Sequence, residues 1–254
     1  MAKVLFASYI KKSSDIVVRG KFDCGYLLPN LVETVAFDIF VNGIYEPKTF
    51  NLLNEIIPPN GYFIDIGANI GAITLPLCKT RPDISVMAIE AAPWIHAYLE
   101  RNVLDNSVSN VSLINCALFD QDMLEMDFYS PQDKFGKGSL SNAFTNDAIK
   151  VKTRTLDSLL QEGNHQRVDV IKVDVEGFEY FVFKGAKELL SKTNGPMIYF
   201  EFADWAEKNA GLTPGAAQEI LLDYGYTLYL VENNRRKKIE GFLKKGFFNI
   251  LAVK

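Results

Sequence analysis

Histidine is almost missing from this chain. His96 and His165 are the only two in 254 residues, too few for a multi-histidine metal site. Cysteine is nearly as scarce: Cys24, Cys78 and Cys116 lie far apart, form no Cys-x-x-Cys pair, and sit among apolar or small residues. That setting suits buried thiols in a reducing compartment, so a cytoplasmic location is expected. Nothing approaches the roughly 18 consecutive apolar residues of a membrane span, and the Leu5–Ile10 run is too short for a secretory leader. Positive charge is not in excess. The net charge of -4 gives no general electrostatic reason to bind nucleic acid or an anionic membrane, and a small or neutral substrate fits better. No internal repeat is visible.

With 48% hydrophobic and 23% charged residues, the chain has the profile of a globular protein with one large core. Residues 1–60 read as a cap segment. Short strand-like pieces surround Ile16–Val18 and Tyr26–Leu28, helical spacing covers Leu31–Val41, Gly43 is placed to stop that helix, and Pro47 opens a second one running to Ile57. From Gly61 to the end, strand and helix alternate. Strands are expected at Tyr62–Ile66, Ile84–Ile89, Val111–Ile114, Arg167–Val175 and Met197–Phe202, with helices at Ile70–Lys79, Pro93–Leu104 and Gly177–Leu190. Thr213 and Pro214 are expected to cap and open a last helix ending at Gly225. Two closing strands, Tyr226–Val231 and Phe247–Val253, flank the basic run Asn233–Lys238, read as a solvated hairpin tip. The alternation predicts an α/β fold: a doubly wound, Rossmann-like sheet, mostly parallel with an antiparallel last strand. Residues 119–154 interrupt it. They read as an insertion of two strand-like pieces around a Gly/Ser/Lys/Asn stretch, Gln132–Asn146, placed beside the site.

In such a sheet the ligand crevice lies outside the carboxyl ends of the strands. Those ends are unusually acidic here: Asp65, Glu90, Asp174, Glu176 and Glu201. In Val170–Glu176 the period-two alternation puts Lys172, Asp174 and Glu176 on one side of a strand that ought to be apolar on both faces, which is costly unless they are paired, hydrated or used. After the first of these strands, Asp65-Ile-Gly-Ala-Asn-Ile-Gly71 forms a glycine turn into a helix, and its exposed amides would face a ligand. A dinucleotide fingerprint would need glycine where Asn69 stands, so an NAD(P) dehydrogenase is disfavoured. Glu90 follows Gly71 by nineteen residues, at the place from which a carboxylate accepts both ribose hydroxyls of an adenosine. An adenosine ligand without phosphates is indicated, and S-adenosylmethionine is that ligand; its cationic groups suit the acidic rim. A catalytically silent module that binds an adenosine ligand is the alternative, opposed by the charged groups on a central strand.

These motifs together resemble the FkbM-type S-adenosylmethionine-dependent methyltransferases. The resemblance runs over roughly residues 35–230 and rests on Asp65–Thr74, Glu90-x-x-Pro93, Asn102, Thr155-Leu-Asp157, Lys172–Glu179, Gly185-Ala186, Gly43–Pro47 and Glu201. It implies methyl transfer to a hydroxyl oxygen of a small molecule or sugar. By the same resemblance Asp65, Gly67, Ala68, Asn69, Gly71 and Thr74 surround the methionine part of the cofactor, Glu90 its ribose, and Ala117 and Leu118 its adenine. Lys172, Asp174, Glu176 and Glu201 then face the transferred methyl and the acceptor, with Asp174 as the preferred general base. Glu179 is expected to cap and position. A divalent metal bridged by the carboxylates finds no support, and neither the acceptor nor the oligomeric state can be read from the sequence.

Overall fold

Two short strands, β1 (Ser14–Arg19) and β2 (Gly25–Asn30), pair antiparallel across a 3-10 turn at Lys21–Asp23. This computed structural model describes residues 14–165, 167–232 and 235–254, so the Leu5–Ile10 run and Asn233–Asn234 lie outside the described residues. Helix α1 (Thr34–Asn42) stops at Gly43, whose φ of 73° is the left-handed turn anticipated for it. Pro47 begins α2 (Pro47–Ile56). Then come β3 (Tyr62–Ile66), α3 (Thr74–Thr80), β4 (Ser85–Glu90), α4 (Pro93–Asp105), β5 (Val111–Asn115) and the two-residue β6 (Ala117–Leu118). The insertion contributes β7 (Glu125–Tyr129), a 3-10 turn at Gln132–Lys137 and β8 (Ala148–Arg154). The rest is α5 (Leu156–Glu162), β9 (Val170–Val173), α6 (Glu179–Lys184), α7 (Lys187–Leu190), β10 (Met197–Ala203), α8 (Asp204–Asn209), α9 (Ala216–Asp223), β11 (Thr227–Glu232), β12 (Arg235–Lys238) and β13 (Phe247–Val253).

The main sheet has the order β12-β11-β13-β10-β9-β3-β4-β5. Its strands β10, β9, β3, β4 and β5 run parallel, and β13 enters antiparallel between β10 and β11. This is the expected α/β, Rossmann-like architecture. Alternate strand residues face opposite layers. Ile64, Ile171, Ile198 and Phe200 pack against Leu160, Val182, Phe183 and Leu221 on one side. Phe63, Val170, Tyr199 and Leu251 pack against Phe50, Leu53 and Leu77 on the other. A third cluster joins the N-terminal hairpin and α1 to the insertion through Leu28, Val35, Phe128 and Phe135. Asn102 on α4, fully buried, accepts from the Leu27 amide at 2.7 Å and donates to the Ile70 carbonyl at 3.0 Å. It thereby ties β2 to the loop after β3.

Several local expectations are corrected. The helix after β3 starts at Thr74, not Ile70, because Asn69 (φ 53°) and Gly71 (φ 87°) hold left-handed turns there. The fourth parallel strand is only Val170–Val173, so Asp174 lies past its end. The Gly177–Leu190 helix is split into α6 and α7 at Gly185, where a side chain would stand 2.1 Å from the Phe119 carbonyl oxygen. Gly215 (φ 100°), not Thr213, precedes the last helix. Helix α8 was not anticipated, and Arg235–Lys238 is an edge strand paired with β11.

Candidate active site

The registers of β3, β9, β10 and the antiparallel β13 align Asp65, Lys172, Tyr199 and Leu251 in one row across the sheet. The row lies under α2 and α3, in the layer of the Phe63 and Val170 core. Its polar members are therefore desolvated and paired. Lys172 Nζ stands 3.2 Å from Asp65 Oδ1, 3.7 Å from Asp174 Oδ2 and donates to the Gly67 carbonyl at 3.2 Å. Thr74 Oγ1 donates to Asp65 Oδ2 at 2.7 Å. Burial opposes the charge on Lys172, yet Asp65 and Asp174 outweigh it and hold the ammonium above the ordinary lysine range. Beside this row, Thr49 Oγ1 donates to Glu46 Oε2 at 2.9 Å and lies 3.0 Å from the Tyr199 hydroxyl.

Above the row, at the carboxyl ends of β3, β4, β9 and β10, opens a cavity of about 260 Å³. At one end is Glu90. Its Oε2 accepts from the Asn69 amide and its Oε1 from the Ala92 amide, both at 2.9 Å. Burial pushes this carboxyl up to about 7, against those two amides, which favour the charged form. Each carboxylate oxygen accepts about two hydrogen bonds, so each keeps one acceptor position. Cys116, Ala117 and Leu118 form an apolar wall nearby. Gly67 (φ 76°) approaches the β9 side so closely that a Cβ would lie 2.0 Å from the Asp174 carbonyl oxygen.

The other end is acidic. Asp174, Glu176, Glu201 and Glu46 all line it. Burial and then Asp174 raise Glu176, burial, Asp174 and the charge of Glu176 raise Glu201, and burial and then Asp174 raise Glu46. Lys137 from the insertion reaches across to Glu176 Oε1 at 2.7 Å. The turn bearing Glu176 (φ 52°) is closed by Glu179, whose Oε1 accepts from the Val175 and Gly177 amides at 3.1 and 3.4 Å. Glu179 is buried and pushed up to about 8 by desolvation.

The cavity thus brings together Gly67, Ala68, Asn69, Glu90, Ala117, Leu118, Lys172, Asp174, Glu176 and Glu201. Asp65, Gly71 and Thr74 are outside its lining: Asp65 and Thr74 are fully buried beneath it, bonded to each other. His96 is buried on α4 near Glu100, and His165 packs at a tilt against Tyr62, with Nε2 3.2 Å from its hydroxyl; neither lines the cavity. Lys137, Glu33 and Phe135 are lining residues that sequence reasoning did not single out. Lys137 and Phe135 fall inside the stretch anticipated beside the site, but no local pattern marks them. Asn69 Nδ2 donates to the Phe135 carbonyl at 3.1 Å, a contact across 66 positions.

An adenosine ligand with a methionine-like tail fits these residues: two open acceptor positions on Glu90, an apolar wall next to it, and a glycine turn with no room for a side chain. The sequence profile of the Methyltransferase FkbM domain matches residues 65–228. Methyltransferase 1 of Beauveria bassiana is 29% identical over 174 residues, covering 61% of this chain and 67% of that protein. The 2-O-methyltransferase NoeI of Sinorhizobium fredii is 26% identical, covering 65% and 74%. The hexuronic acid methyltransferase AglP of Haloferax volcanii is 25% identical, covering 75% and 73%. Among solved structures, precorrin-6y C5,15-methyltransferase of Geobacter metallireducens shares the fold at a TM-score of 0.50 and 14% identity, covering 83% of this chain and 90% of that one.

Proposed function

The chain belongs to the FkbM methyltransferase family, and from that premise we propose that it transfers a methyl group from S-adenosylmethionine to a hydroxyl oxygen of a small molecule or sugar, in the cytoplasm. The observation that carries the reading is a single cavity with two chemistries: a carboxylate with open acceptor positions beside an apolar wall at one end, and a cluster of ionisable groups at the other. Relatives named as a 2-O-methyltransferase and a hexuronic acid methyltransferase support oxygen as the target. Three buried free thiols suit a reducing compartment.

In this reading Glu90 accepts from the ribose hydroxyls, Ala117 and Leu118 lie against the adenine, and Gly67, Ala68 and Asn69 flank the methionine part. Asp65, Gly71 and Thr74 act from below by shaping the turn and holding Lys172. The bound cofactor supplies an electrophilic methyl on a sulfonium. An alkyl hydroxyl is about as weakly acidic as water, pKa about 15.7, so its proton leaves as the methyl arrives. Asp174, one-third exposed and oriented by Lys172, takes that proton; Glu176 and Glu201, raised by burial and by the charge of Asp174, hold protons near neutrality and hydrogen-bond the acceptor. Alignment of the two reactants contributes roughly 7–11 kcal/mol. The described part of the 1–60 cap, residues 14–60, closes the site on the domain of residues 61–254, and the 119–154 insertion borders the acceptor.

Calorimetric titration with S-adenosylmethionine tests the cofactor half: binding is expected for the native chain and lost in Glu90→Ala, and unchanged binding in that variant would refute the assignment. Incubation with methyl-labelled cofactor and a lysate tests transfer. Cofactor binding without any labelled product would instead favour a silent adenosine-binding module.

A further inference from the structure

Beyond the acidic end, Phe247 brings an aromatic ring into the cavity lining, and two further rings, Phe144 and Trp205, lie outside that lining and connect to it through Lys137. Phe247, at the start of β13, lines the cavity and is 55% exposed. Trp205, at the start of α8, is 38% exposed and meets Phe144 of the insertion edge-on at 5.7 Å between ring centroids. Lys137 Nζ, itself in the cavity lining, lies 5.8 Å from the centroid of the Phe144 ring. The backbones are fixed around these rings: Phe247 pairs with Ala203, and the Asp204 amide donates to the Gly246 carbonyl at 3.1 Å.

We propose that Phe144, Trp205 and Phe247 form a stacking platform for the ring of a neutral carbohydrate acceptor, whose hydroxyls reach Glu201 and Glu176. This rests on the methyl-transfer reading above and narrows its substrate class. A pyranose has one face of polarised C–H groups and an edge of hydroxyls. An aromatic ring presents a negative face that attracts the former, and carboxyl groups accept from the latter. A flat phenol would satisfy one of the polar groups at this end and leave the others desolvated without partners, at about 1–3 kcal/mol each. An acidic sugar fits worse. Six carboxyl groups line the cavity against two lysines, Lys137 and Lys172, and both lysines are already paired, with Glu176 and with Asp65 and Asp174. Among the described residues that line the cavity, no unpaired cation is left for a substrate carboxylate. The acceptor preference inferred here therefore differs from that in the name of the hexuronic acid methyltransferase relative.

The test uses the full chain with methyl-labelled S-adenosylmethionine and three sets of probes: neutral methyl hexosides and 6-deoxyhexosides, methyl glucuronoside, and catechol. Label is expected in at least one neutral glycoside and not in the other two sets. Trp205→Ala is expected to raise KM for that glycoside about tenfold or more while cofactor affinity by calorimetry and the thermal midpoint stay put, and Trp205→Phe to recover most of the loss. Label in the glucuronoside or catechol at equal efficiency, no label in any neutral glycoside from a cofactor-loaded enzyme, or an unchanged KM in Trp205→Ala overturns the proposal. Failure to bind S-adenosylmethionine overturns the underlying reading instead, which the titration distinguishes.

Discussion

Replacing Lys172 by Met removes the only cation from a row where Asp65 is fully buried. Asp174, partly solvated, loses little, but Asp65 is left with only the Thr74 hydroxyl to answer it. Breaking a buried pair by deleting one member costs about 3–5 kcal/mol. At about 2–4 °C per kcal/mol for a domain of this size, the thermal midpoint should fall by roughly 6–20 °C. The double variant Asp65→Asn with Lys172→Met removes the stranded charge, leaves an amide oxygen for Thr74, and should recover more than half of that loss. Scanning calorimetry of the native chain, both single variants and the double variant gives the coupling. A fall of less than about 2 °C in Lys172→Met, or no recovery in the double variant, would sink the account of the row as a desolvated ion pair. The pH dependence has a definite sign. Because the folded-state pKa of Lys172 is raised, its contribution is complete below the unfolded lysine pKa of about 10.4. It disappears only as pH climbs through the higher folded value, so the native chain and Lys172→Met should converge only in strong alkali.

Asp174→Asn should keep cofactor affinity and lower turnover by roughly 10²–10⁴; full turnover would remove Asp174 as the base. Gly67→Ala combines a left-handed backbone, about 1–2 kcal/mol for a residue with a Cβ, with an atom 2.0 Å from the Asp174 carbonyl oxygen. It should lower both the thermal midpoint and S-adenosylmethionine affinity, and a variant indistinguishable in both would contradict the close crossing of the two loops. Glu179, raised to about 8, binds a proton more tightly folded than unfolded. Its contribution is complete below the unfolded glutamate pKa of about 4.3 and is lost as pH rises through 8, so Glu179→Gln should flatten the fall in thermal midpoint between pH 5 and 9. A steeper fall in that variant would show the carboxylate to be the stabilising form.

What the sequence made legible follows from local physics. Tyr62–Ile66 and Val111–Asn115 are short apolar runs between turn residues, and they are strands. Gly43 and Pro47 punctuate helices as their backbone preferences require. Glu90 and Asp174 were placed by counting from strand ends, and both line the cavity. What failed depends on distance or on exposure. Ile70 and Ile73 have helical spacing but serve two left-handed turns, whose cause is the tertiary position of Asn69 and Gly71. Asp65 reads as a rim residue, yet it is the last but one residue of its strand and the register with Lys172 turns its side chain under α3. Arg235–Lys238 reads as a tip because an edge strand needs no apolar residue. Lys137 meets Glu176 across 39 positions, a pairing that no local pattern encodes.

The hydrogen bond from Asn69 to the Phe135 carbonyl also divides the insertion for anyone wishing to graft it. Asn69 holds Glu90 through its amide and the 3-10 turn through its side chain, so on the proposed reading residues 132–137 would be part of the cofactor's scaffold although they belong to the acceptor's loop. Residues 139–147, including Phe144, carry no such bond to the glycine turn. A chimaera that keeps the first part and exchanges the second should inherit a donor's acceptor preference with its cofactor pocket intact, whereas exchanging the whole loop would dismantle both.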